Sequence, residues 1–182
     1  MKNIKIISAI SFSVFFLTAC GSKYQIDISE MPDELRLQHQ ERLQNSLSQY
    51  ETAEDDQIKI EAAAEAAIQY MNLGNYAEAI DYYKEVLEYD NFFYVALNNI
   101  AYMYEEVGEK EKALEYELRL YENNQMDFEV VRDTIRLLVK NKKYDEAVSL
   151  LTVFATYDKE NGATYTELIG DQFEYIITSQ SE

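Results

Sequence analysis

Thirty-four residues separate Gly74-Asn75-Tyr76-Ala77-Glu78-Ala79 from Gly108-Glu109-Lys110-Glu111-Lys112-Ala113, and one more such step lands on Lys142-Lys143-Tyr144-Asp145-Glu146-Ala147. A fixed period of this length constrains a chain tightly, because each unit buries its apolar face only by stacking on its neighbours. Ala79, Ala113 and Ala147 fall in one column of the repeat, and Asp90, Asn124 and Asp158 in another. Three units follow without insertion, 60–93, 94–127 and 128–161. One Pro and five Gly in 182 residues favour long helices over strands and tight turns, so each unit reads as a pair of helices.

Seven columns of each unit carry small or large apolar residues. They read Ala63, Ala66, Ala67, Tyr70, Ala79, Tyr83 and Val86 in the first unit. The second has Leu97, Ile100, Ala101, Tyr104, Ala113, Glu117 and Leu120, and the third Val131, Thr134, Ile135, Leu138, Ala147, Leu151 and Phe154. This pattern resembles the tetratricopeptide repeat, in which two antiparallel helices pack through these columns. Ala in the recurrent column lets the second helix approach the first closely, and Tyr70, Tyr104 and Leu138 fill the space beside it. Gly74 and Gly108 stand where the first helix must stop in a left-handed conformation, whereas the third unit has Asn141-Lys142 there. Other departures from the family are a missing Trp at position 4, a missing Pro at position 32 (Asn91, Gln125 and Lys159 instead) and Glu117 in a column that is normally aromatic. The resemblance implies an all-α fold, a right-handed α-solenoid of three helical hairpins.

Solenoid ends need caps. Leu35, His39, Leu43, Leu47 and Tyr50 form a helical stripe within 31–51, between Pro32 and Thr52, which predicts a helix docked on the first repeat. Thr52-Ala53-Glu54-Asp55 reads as the cap of a first-repeat helix extended to Asn72, so the repeat body spans 52–161. Residues 162–182 continue the phase with Tyr165, Leu168, Ile169, Phe173, Ile176 and Ile177, which predicts a closing helix and tail. The single histidine, His39, lies on the N-terminal stripe and reads as a packed side chain.

The first twenty residues carry a different signal. Lys2 and Lys5 precede an uncharged run from Ile6 to Ala19, too short to span a bilayer but suited to a signal peptide. The run ends Leu17-Thr18-Ala19-Cys20-Gly21, which resembles the lipobox of bacterial lipoproteins. That resemblance implies cleavage of 1–19, lipidation of Cys20 by a diacylglycerol and an acyl chain, and a short tether over 20–30. Each buried methylene contributes about 0.8 kcal/mol, so two or three chains hold firmly. The implied location is the cell envelope: the outer membrane facing the periplasm in a Gram-negative cell, since Gly21 follows the Cys, and otherwise the outer face of the plasma membrane.

Charge and chemistry narrow the function. The chain holds 34 Asp and Glu against 16 Lys and Arg, a net charge of −18 that repels phosphate backbones, so nucleic acid is not an expected partner. With one His and one Cys, no nucleophile–base pair can be assembled, and no phosphate loop or spaced metal-ligand motif appears. Neither an enzyme nor a cofactor or metal is expected. In tetratricopeptide folds certain first-helix positions line a concave groove. Here they include Arg132, Arg136 and Lys140, spaced so as to share one helix face, together with Asn98, Tyr102, Ile68 and Met71. Two readings stand: the basic row receives an acidic segment of a protein or peptide partner while Ile68, Met71 and Tyr102 hold an apolar one, or the row neutralises Glu105 and Glu106. The resemblance implies a membrane-anchored scaffold, of the kind that assists outer-membrane protein, secretin or pilus assembly or gathers cell-wall enzymes. The alternative is a structural or colonisation lipoprotein on the cell surface.

Overall fold

A computed structural model describes residues 24–157. The signal peptide, Cys20 and the predicted closing helix of 162–182 lie outside them. Within this range the order is α1 (Asp33–Thr52), α2 (Asp56–Asn72), α3 (Tyr76–Tyr89), α4 (Tyr94–Glu106), α5 (Lys110–Asn123), α6 (Phe128–Lys140) and α7 (Tyr144–Tyr157). Each helix packs on the next, in three successive hairpins α2–α3, α4–α5 and α6–α7 preceded by α1. The architecture is an all-α helical repeat. No described helix is long and apolar enough to cross a membrane.

The repeat columns build the core. Every residue of the seven columns is buried except Tyr70, which is half-buried. Ala79, Ala113 and Ala147 are fully shielded, so the second helix of each hairpin lies close against the first. Tyr70 is completed by stacking on Tyr82, ring centroids 5.6 Å apart, and Tyr50 of α1 meets Tyr82 edge-on at 5.5 Å. These three rings join α1 to the first repeat. His39 lies half-buried in the same seam, its Nδ1 2.7 Å from Oε1 of the buried Gln69.

The turns explain the period. At the end of α2, the Gly74 N–H donates to the Met71 carbonyl and the Asn75 N–H to the Tyr70 carbonyl, the paired bonds of a Schellman stop. Gly108 and Glu109 repeat this on Glu105 and Tyr104, and Lys142 and Lys143 on Val139 and Leu138. The left-handed residue has φ 76° at Gly74, 78° at Gly108 and 60° at Lys142. The third turn therefore keeps the geometry of the first two with a side chain in place of glycine. Between units, Phe93 N–H to the Asp90 carbonyl and Asp127 N–H to the Asn124 carbonyl close equivalent turns. Asp55 and Asp127 cap α2 and α6, each carboxylate accepting two backbone N–H bonds.

Part of the expected tether is fastened to the body. Gln25 pairs with Asn75 in an isolated antiparallel bridge, and the Ile26 N–H donates to the Gly74 carbonyl at 2.9 Å. A Cβ at Gly74 would fall 2.5 Å from the Ile26 carbonyl oxygen, so this glycine serves both the turn and the close approach of the N-terminal segment. Tyr24 meets Tyr104 edge-on at 6.2 Å, reaching the second hairpin.

Candidate interaction groove

The basic row lies on α6 and faces α4 of the preceding hairpin. Arg136 Nη1 and Lys140 Nζ both donate to Glu105 Oε1. Arg136 Nε also donates to Asp133 Oδ1 at 3.3 Å, and Arg132 donates to Asp133 at 3.2 Å while pairing with Glu129. Burial pushes the Glu105 carboxyl up, but the donors of Arg136 and Lys140 more than offset it and hold the group below its ordinary value. Each cation of the row thus has a carboxylate of its own chain, and Arg136, Lys140 and Glu105 form a clasp between the second and third hairpins. Glu105 is the residue neutralised; among the described residues no ion pair joins Glu106 to this row.

Beside the clasp is a polar cavity of about 200 Å³. Asn98, Asn99, Tyr102 and Glu105 of α4, Glu117 of α5, and Asp133 and Arg136 of α6 line it. Asn98 and Tyr102 stand exposed at its mouth, and Asn99 Nδ2 donates to the Tyr83 hydroxyl at 2.6 Å. Among the sequence-predicted residues, Asn98, Tyr102 and Arg136 therefore meet at one cavity, and Arg132 and Lys140 border it through the clasp. Ile68 and Met71 do not line it; they are half-buried on α2 against the core.

Glu117 is the residue that sequence reasoning passed over as a site. It is only 4% exposed, and its Oε1 has no hydrogen-bond partner. Burial, then repulsion from Asp133, pushes its carboxyl up to about 7, and Arg136 and Thr134 pull it back by less. The signal was present in the sequence, as a charged residue in an otherwise apolar column.

Among the described residues no cluster of three His, Cys, Asp or Glu is arranged to hold a metal ion. The cavity's chemistry is that of hydrogen bonding and charge, suited to holding a polar group of another molecule.

Comparison with known proteins agrees with the helical-repeat fold. The tetratricopeptide-repeat family model matches residues 60–92. No curated protein sequence matches significantly. Among solved structures, a crystal structure of MamA superposes with a TM-score of 0.57 at 12% identity, covering 86% of this chain and 96% of that one. A second MamA crystal form, labelled AMB-1, gives 0.52 at 13%, covering 82% and 94%. A Podosopora anserina kinesin light chain-type protein with nearly identical TPR-like repeats gives 0.55 at 14%, covering 81% and 94%. At these identities the structural likeness speaks for the fold alone. The chain thus carries a tetratricopeptide repeat at 60–92, and the recurring Schellman turns and stacked hairpins extend the same all-α helical-repeat fold beyond it.

Proposed function

We propose that this tetratricopeptide solenoid is a lipid-anchored scaffold of the bacterial envelope that binds a protein partner along the face of α4 and α6. The observation that carries the binding reading is the exposed pair Asn98 and Tyr102 at the mouth of a polar cavity. Tyrosine with one apolar face and one polar tip is a favoured contact residue, and neighbouring turns of one helix present both side chains together. The anchor rests on Leu17-Thr18-Ala19-Cys20. Restriction to a membrane surface raises the effective concentration of a partner without new contacts, which suits assistance in assembling an envelope complex or gathering cell-wall enzymes.

Two measurements test the reading. Mass spectrometry of the mature N-terminus is expected to find Cys20 first in the chain and carrying lipid; an unmodified or internal Cys20 removes the anchor. Crosslinking and pull-down from envelopes is expected to capture a protein with the natural chain and to lose it with Asn98→Ala plus Tyr102→Ala. A surface-display role is the second reading, favoured by the exposed aromatic pair Tyr89 and Phe92 at the α3–α4 turn. Cleavage by protease added to whole cells would support it, and full protection would remove it.

A further inference from the structure

The ion pairs around the cavity leave one charge over. Arg132 pairs with Glu129, Arg136 with Asp133 and Lys140 with Glu105, and each of those carboxylates is thereby matched. Glu117 is the carboxylate left without a cation of its own, and its Oε1 also lacks any donor. A buried acceptor left unsatisfied costs about 1–3 kcal/mol, and more when charged, so an arriving donor gains what the fold gives up. An arriving carboxylate would meet this oxygen unfavourably and would have to displace Glu105 from two cations.

We infer that the cavity between α4, α5 and α6 receives a cationic side chain, lysine or arginine, from the protein partner, with its N–H groups directed at the Glu117 carboxylate that lines it. This rests on the scaffold reading above and supplies the chemistry of its occupant. The cavity volume exceeds the roughly 30 Å³ share of a single water, leaving room for an ammonium or guanidinium head. Exposed Tyr102 at the mouth offers a ring face to the incoming cation, and Asn98 offers an amide oxygen. The partner's polarity is thus the reverse of the acidic segment expected from the basic row. The groups facing Glu117 are Asp133, Thr134 and Arg136 on α6 and Tyr94 and Glu105 on α4, so the site takes its cation best when Glu117 is ionised beside them.

The test uses the purified full-length protein in detergent, with carbonyl-labelled glutamate and the Glu117 carboxyl resonance assigned by its loss in Glu117→Gln. Ethylguanidinium chloride is the probe, with equal sodium chloride and neutral ethylurea as controls. At pH 8 the guanidinium alone is expected to shift the Glu117 resonance to saturation. Affinity should fall at least tenfold at pH 5.5, where the carboxyl holds its proton, and at least tenfold in Asn98→Arg, which places a competing cation at the exposed mouth. Shifts equal to those from sodium chloride, or equal affinity in Asn98→Arg, overturn the inference. Envelope crosslinking then separates the two levels. Partner capture lost at least tenfold in Glu117→Gln supports the cation site; capture by Glu117→Gln equal to the natural chain overturns the site and leaves the scaffold standing. Failure of the natural chain to capture any protein overturns the scaffold and the occupant together.

Discussion

The first and second hairpins differ at one column of the same repeat, and the difference is chemical rather than geometric. Tyr83 fills the column in α3, fully buried, and its hydroxyl accepts a hydrogen bond from Asn99 across the hairpin boundary. Glu117 occupies the matching place in α5, equally buried, with an oxygen that nothing satisfies and a cavity beside it. The third hairpin closes the column with Leu151. One fold thus holds an aromatic, an aliphatic and an acid at equivalent positions, and the acid lines a polar cavity. Stability was available at this column, since a neighbour on either side shows an apolar solution, and the second hairpin does without it. Residues that break a local rule in this way are where function is to be sought.

The comparison is broken most forcefully by truncation. Tyr83→Ala should destabilise the protein by about 3–5 kcal/mol in urea unfolding at pH 8, while Glu117→Ala should cost less than about 1 kcal/mol, because lost packing is offset by removal of a buried unpaired charge. Equal losses would mean that the two columns are energetically alike.

The next effect depends on pH. The Glu117 carboxyl sits at about 7 against an ordinary value of 4.5. An acid whose folded value is raised binds more protons folded than unfolded between these limits, so its contribution to stability falls as pH rises from 4.5 to 7. Glu117→Gln removes that loss. The variant should exceed the natural chain by up to about 3 kcal/mol at pH 8 and show no such advantage at pH 4.5, measured by urea unfolding at both values. A gain that does not change with pH would place the effect in packing.

The three helix stops sharpen the comparison at the level of the backbone. Lys142→Gly should stabilise by about 1 kcal/mol and Gly108→Ala destabilise by a similar amount, as seen in melting temperature. Gly74→Ala should cost more than Gly108→Ala, since its Cβ meets the Ile26 carbonyl while Gly108 has open space around it. The smallest effect belongs to the exposed Arg132–Glu129 pair, where Arg132→Ala should change stability by less than about 1 kcal/mol, less still in high salt.

The fold was legible because its determinants are periodic and local. The Ala columns, the turn residues at 74, 108 and 142, Pro32 ahead of α1 and Asp55 at the start of α2 all act within one or two helical turns. The groove was legible only in part. Spacing put Arg132, Arg136 and Lys140 on one face, but the pairing of Arg136 and Lys140 depends on the reach of long side chains between two hairpins, where Glu105 is paired and its neighbour Glu106 is not. Glu117 stood out as a mismatch in its column. That its oxygen lacks a donor emerges only when α4, α5 and α6 are assembled, because no local pattern records what a neighbour fails to supply.

The segment of residues 24–26 bridged to the Gly74 turn has a mechanical corollary. Four peptide units separate Cys20 from Tyr24, a span of at most about 14 Å. If Cys20 carries lipid as proposed, the bilayer would lie within that distance of Tyr24, which packs against Tyr104. Lengthening that span by a dozen flexible residues would then let the body stand farther from the bilayer without touching any residue in the groove.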